Sequence, residues 1–250
     1  MSFKDHFSAA SSDYVRYRPR YPGPLFDWLA AQAPATALAW DAATGSGQAA
    51  VELASRFDRV VATDPSAAQL QSAELRSNIE YRCEPAERST LDAASADLVV
   101  VAQALHWFDH PAFFAEAARV LKPGGVLAVW CYEIFETTPA VDAVVSHFYH
   151  QVIGAFWPPE RRWIETGYAD LVLPFPSIAA PSFDMALDWN LHDLVGYLGT
   201  WSAVHRYRAE RGEDPLPSVL AALAPVWGDA AETRRVRWPL KLKVARREGL

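Results

Sequence analysis

One stretch constrains the fold more than any other: Ala37-Leu-Ala-Trp-Asp-Ala-Ala-Thr-Gly-Ser-Gly-Gln-Ala-Ala50. A short apolar run leads into two glycines, and small helix-forming residues follow. That order reads as strand, tight turn and helix, which brings bare backbone N–H groups and a helix N-terminus up to a ligand. Gly45 and Gly47 accept positive φ and leave no Cβ in a ligand's way. Asp64 lies nineteen positions after Gly45, at the end of a second apolar run, Arg59-Val-Val-Ala-Thr-Asp64. An acid at that place is set to hydrogen-bond ribose hydroxyls, so the pattern points to a cofactor that contains a nucleoside.

Two cofactor classes fit the turn. Gly45-x-Gly47-x-x-Ala50 satisfies the dinucleotide fingerprint in its Gly/Ala form, so NAD stays open on the glycines alone. Asp41 at the tip of the first strand separates the two. A carboxylate beside a pyrophosphate is repelled by roughly 1 kcal/mol or more at about 4 Å. Beside the ammonium and sulfonium of S-adenosylmethionine it attracts, and the sign favours that cofactor. A loop-capping carboxylate with no ligand is the structural alternative for Asp41.

The rest of the chain reads as alternating strands and helices. Helices are expected over 25–33, 48–57, 67–75 and 111–121, with Ser66 as an N-cap after Pro65. Strands are expected around 37–41, 59–64, 79–83, 96–102 and 126–130. The run 96–102 is almost wholly apolar, as befits a strand covered on both faces of a parallel sheet. Such alternation specifies a doubly wound α/β sheet with right-handed crossovers. Beyond residue 132 the periodicity predicts helices over 140–156, 191–207 and 216–227 and strands over 182–189 and 236–245, around an aromatic, proline-rich stretch at 157–176. Arg119 and Lys122 read as helix C-terminal cations that complement the macrodipole.

The formal charge of −7 and the absence of long basic runs argue against a dedicated nucleic-acid binder. The basic residues from Arg234 to Arg247 alternate with apolar ones and read as the wet face of a strand. Two cysteines, Cys83 and Cys131, form neither a disulfide framework nor a metal spacing. No signal peptide and no bilayer-length apolar run is visible, so the expectation is a cytoplasmic protein without a membrane segment or metal. Its oligomeric state is open.

Four separated segments, spanning roughly residues 40–130, resemble the motifs of class I S-adenosylmethionine-dependent methyltransferases. They are the Asp41–Gly47 turn, the Asp64 strand end, Pro85-Ala-Glu87, and Arg119-Val-Leu-Lys-Pro-Gly-Gly125 ahead of a strand. Ala102-Gln-Ala-Leu-His-Trp-Phe108 and Tyr17-Arg-Pro-Arg-Tyr-Pro22 are similar to the small-molecule, trans-aconitate methyltransferase-like branch. The resemblance implies a seven-stranded, mostly parallel sheet, Rossmann-like, with a helical substrate cap. It divides the chain into an arm (1–24), a cofactor-binding core (25–132), a lid (133–180) and the end of the sheet with further cap helices (181–250).

The resemblance further implies that Gly45 and Gly47 face the methionine portion of the cofactor, with Gln103 and Ala104 beneath it. Asp64 is implied on the ribose and Pro85, Ala86 and Glu87 around the adenine. Tyr17, Asp41, Ala43, Thr44, Pro65 and Ser66 complete the cofactor set. Ala43 departs from the glycine usual at that place. The acceptor side is expected to draw on Arg18, His106, Trp107, Trp130, Tyr132, Trp201 and His205, with His106 as base where one is needed. The reaction implied is methyl transfer to a small molecule, a small carboxylic acid among the acceptor classes, by in-line displacement. An NAD-dependent oxidoreductase and a non-catalytic cofactor-binding homologue are the alternatives.

Overall fold

A computed structural model of the chain describes Tyr17 and residues 19–249. Arg18 and most of the expected arm lie outside the described residues. The first helix, α1 (Gly23–Gln32), starts on proline at its first turn, where a missing N–H costs nothing, and buries Leu25, Phe26 and Leu29. The strands β1 (Leu38–Ala42), β2 (Arg59–Thr63) and β3 (Ile79–Arg82) run parallel, with α2 (Gln48–Leu53) and α3 (Ala67–Gln71) between them. β4 (Ala96–Ala102) returns to the other side of β1, and β5 (Leu121–Tyr132) pairs beyond it after α4 (His110–Val120).

Successive side chains of these strands go to opposite faces, and each face has its own core. Ala39, Val60, Leu98, Val100 and Val126 pack with α1, α2 and the cap. Trp40, Val61, Val99, Val101 and Leu127 pack with Phe113, Ala117 and Val120 of α4. The buried β4, apolar except for Asp97, follows from this two-sided covering.

After β5 come α5 (Pro139–His147), a π-type turn (Phe148–Val152), two 3₁₀ turns (Gly154–Phe156 and Pro159–Arg161) and α6 (Arg162–Glu165). Then follow β6 (Ser177–Ile178), β7 (Asp184–Trp189), α7 (Leu191–Gly199), α8 (Ser202–Arg211), α9 (Leu216–Trp227) and β8 (Arg234–Arg246). The helix expected over 140–156 is therefore cut at His147, and that over 191–207 is two helices. The second break falls at Thr200 and Trp201, right after Gly199, where backbone entropy disfavours continuing the helix.

Sheet order is β3-β2-β1-β4-β5-β8-β6, with β7 on β8. Eight strands replace the expected seven because β8 is long enough for two sets of partners. Its second half pairs antiparallel with β5 and β6, and its first half with β7. The basic residues of β8 are neutralised on its wet face. Arg235 meets Asp188, Arg237 meets Asp184 and Glu136, and Lys241 lies 3.6 Å from Glu133. Lys243 donates instead to the carbonyls of Ala169 and Leu171.

Lys122 departs from its expected role. It lies in β5 past the helix end, and its Nζ is 2.7 Å from Oδ1 of the fully buried Asp97. Among the described residues no helix is long and apolar enough to cross a membrane.

Candidate active site

The chain leaves β1 for β2 on one side and later returns to β4 on the other, so the crevice outside the carboxyl ends of β1 and β4 is the switch point where α/β sheets bind ligands. The turn after β1 is built for close approach. Gly47 sits at φ +84°, and a Cβ there would come 2.6 Å from the Tyr81 hydroxyl. The turn is fastened by Thr44 N–H to the Thr63 carbonyl (2.9 Å) and Gly47 N–H to the Thr44 carbonyl (3.0 Å).

Asp64 clips two turns together. Its Oδ2 accepts from Gly45 N–H at 2.9 Å and its Oδ1 from Ser66 N–H at 2.8 Å. Ser66 caps α3 by accepting from Gln69 N–H, as its place after Pro65 suggests. Ala43 adopts φ +56°, a left-handed conformation that costs a side-chain-bearing residue roughly 1–2 kcal/mol. Ala43→Gly is therefore expected to raise the melting temperature by roughly 2–4 °C, a net gain of about 1 kcal/mol. An unchanged or lower midpoint in a thermal melt counts against strain at this position.

Asp41 is fully buried, and Oδ2 accepts from the Thr44 hydroxyl at 2.5 Å. Its Oδ1 is enclosed, with no hydrogen-bond donor among the described residues. Burial drives the Asp41 carboxyl up to about 7; the Thr44 hydroxyl and the Ala50 N–H oppose this only in part, and the charge of Asp64 adds to it. A buried acceptor without a donor costs free energy, and a cationic N–H donor relieves it. The chemistry of the site therefore fits a cation better than a phosphate.

The other expected residues divide by position. Ala86 is buried, Pro65 half-buried and Pro85 exposed at the rim, while Glu87 accepts from Asp109 N–H (3.1 Å) at the start of α4. Gln103 sits at φ +57° and its amide extends the sheet: Nε2 donates to the Tyr132 carbonyl and Oε1 accepts from Tyr132 N–H. Ala104 is buried just ahead of the 3₁₀ turn Leu105–Trp107. Tyr17 packs its ring on Gly196 of α7, where an added Cβ would fall 2.5 Å from it.

His106 is almost fully enclosed, 3.2 Å from the Tyr168 hydroxyl through Nδ1 and against the Trp107 ring. Burial, then the Arg161 and His110 charges, pushes its imidazole down to about 3. It is therefore neutral at physiological pH and takes a proton poorly. Trp130, expected beside the substrate, is instead core: it has no exposed surface and packs edge-on against Tyr21 and Phe26. Tyr132 and Trp201 are buried, Trp201 among Phe148, Tyr149, Trp157 and Tyr197 of the cap. His205 lies on the exposed side of α8, and Arg208 is taken up by Asp214.

A family model described as a methyltransferase domain matches residues 40–129. A Dictyostelium discoideum protein named as a methyltransferase is 35% identical over 225 residues, covering 88% of this chain and 86% of the relative. The chain belongs to the class I S-adenosylmethionine-dependent methyltransferases. A solved structure from Anaeromyxobacter dehalogenans, described as a type II methyltransferase, is 43% identical to this methyltransferase. It superposes with a TM-score of 0.87, over 93% of this chain and 99% of that one. A Saccharomyces cerevisiae protein named as an S-adenosylmethionine-dependent methyltransferase shares 30% identity over 131 residues, 49% of this chain and 45% of that one.

Arg161 carries no mark in the sequence. It stands half-buried in the cap, stacked on Trp157, in a stretch without periodicity to mark it.

Proposed function

We propose that this methyltransferase binds S-adenosylmethionine at the β1 turn and moves its methyl group to a small-molecule acceptor, a small carboxylic acid being the class favoured. The observation that carries the cofactor assignment is the buried, donor-less Oδ1 of Asp41 beside a glycine turn. Asp41 would hold the cationic amino-acid end, Gly45 and Gly47 would give it room, and Asp64 would meet the ribose hydroxyls. Ala86 and its neighbours would flank the adenine. When bound, the cofactor supplies a methyl carbon already activated by a sulfonium.

The chain's own residues then have two tasks: to align the acceptor and to exclude water. The neutral, buried His106 supports an acceptor that arrives ionised and needs no base, as a carboxylate does. Two free cysteines fit a cytoplasmic setting, and the ion-paired β8 argues against nucleic acid as substrate. The test is transfer of labelled methyl from S-adenosylmethionine to a panel of small carboxylic acids. A base-labile, extractable methyl ester is the expected product. Label appearing only on amine or hydroxyl acceptors refutes the carboxylate reading.

The Asp41 carboxyl also gives a pH dependence. With its folded value raised from the unfolded 3.8 to about 7, the folded protein holds the extra proton. Stability of the cofactor-free protein therefore falls as pH rises from about 4 to 7. A cation bound beside Asp41 favours the ionised form, so affinity for S-adenosylmethionine rises over the same range. The thermal upshift at a fixed cofactor concentration should grow from pH 5.5 to 7.5, and Asp41→Asn should flatten that rise. A flat upshift in the unaltered protein contradicts the role of Asp41.

A further inference from the structure

We propose that Arg161 is the residue that selects an anionic acceptor, pairing its free guanidinium edge with the acceptor's carboxylate. This rests on the methyl-transfer reading and assigns a specificity residue to it. The 3₁₀ turn Pro159–Arg161 packs against Leu105–Trp107, the turn that leaves the carboxyl end of β4. Arg161 therefore stands on the cap side of that turn.

Its guanidinium is held from behind. Nε donates to the Tyr149 hydroxyl at 2.7 Å, and the group lies 4.6 Å over the Trp157 ring and 5.5 Å from the Tyr149 ring. Tyr149 is in turn fixed by donating to Glu165 Oε1 at 3.0 Å, and Trp157 Nε1 donates to the Tyr149 carbonyl at 3.3 Å. One edge of the fork is thus occupied and the plane is pinned on aromatic rings. Among the described residues no carboxylate comes within ion-pair distance of the remaining Nη groups.

Arg161 lines a cavity of about 140 Å³ together with Glu133, Ile134, Tyr149, His150, Ile164 and Glu165, just past the end of β5. Of the two acids on its wall, Glu165 accepts from the Tyr149 hydroxyl that also takes Arg161 Nε, and Glu133 lies 3.6 Å from Lys241. An unpaired, partly buried cation is costly unless a ligand completes it, and the arginine fork pairs carboxylates bidentately. The field of Arg161 also reaches inward, where it helps hold His106 neutral.

The test uses the full chain saturated with S-adenosylhomocysteine. Benzoate, phenylacetate, fumarate and succinate are titrated by calorimetry, each against its primary amide. At least one acid should bind about tenfold or more tighter than its amide. Arg161→Gln should erase that ratio while the S-adenosylhomocysteine affinity stays within twofold, and Arg161→Lys, which keeps the charge, should retain part of it. A merely structural arginine would change the melting temperature and leave the acid-to-amide ratio alone. The proposal fails if no acid outbinds its amide, or if the preference survives Arg161→Gln. Loss of S-adenosylhomocysteine binding in the unaltered protein instead removes the methyl-transfer reading, and this proposal with it.

Discussion

Asp64→Ala is expected to weaken S-adenosylmethionine binding about a hundredfold, measured by calorimetric titration at pH 7.5. The carboxylate has two functions that fail together. It aligns the glycine turn through Gly45 N–H and the start of α3 through Ser66 N–H. In the proposed complex it would also accept from the ribose hydroxyls, where bonds to a charged acceptor are each worth about 1.5–3 kcal/mol. Losing roughly 3 kcal/mol of that total corresponds to two decades in Kd. Asp64→Asn keeps the size and one acceptor, so it should fall between the two. Full affinity in Asp64→Ala, with an unchanged melting curve, would remove Asp64 from the cofactor site.

The second large effect lies at the opposite end of the sheet. Asp97 has no solvent exposure; its Oδ2 accepts from the N–H groups of Ala37 and Leu38 at 3.0 Å each, and its Oδ1 from Lys122 Nζ. This single carboxylate ties the entry of β1 to β4 and β5. Lys122→Met leaves a buried charge with only backbone donors, and breaking such a pair costs about 3 kcal/mol or more. A chain of this size should then melt roughly 6–12 °C lower. Cofactor affinity should stay within about twofold, because the clip is at the amino ends of the strands and the proposed site is at their carboxyl ends. Asp97→Asn combined with Lys122→Met should cost less than the two changes summed, since the pair acts as a unit. A melting temperature within 2 °C of the unaltered protein would show that water replaces Lys122 at no cost.

These two positions also mark how far the sequence could be read. Asp64 was legible because its distance from the glycine turn and its place at a strand end are local, and the βαβ pattern sets both. Lys122 was not. Beside a helix end it fits a macrodipole role, and only the β4–β5 pairing reveals Asp97 as its partner. Gln103 shows the same limit: its place at the end of β4 suggests ligand contact, but its amide is spent on the backbone of Tyr132. The core strands declared themselves by apolar runs. The cap did not, because π-type and 3₁₀ turns over 148–161 carry no period, and the small residues at 199–200 interrupt a helix that composition alone would continue. Arg161 belongs to that stretch and becomes distinctive only through Trp157 and Tyr149, which three-dimensional packing brings to it.

The most direct test of the central claim is parallel calorimetric titration of the purified protein with S-adenosylmethionine, S-adenosylhomocysteine and NAD. Micromolar binding of the first two, with none for NAD, is the result expected from an unpaired Asp41 oxygen beside the glycine turn. NAD binding, or silence from both adenosyl compounds, would contradict it.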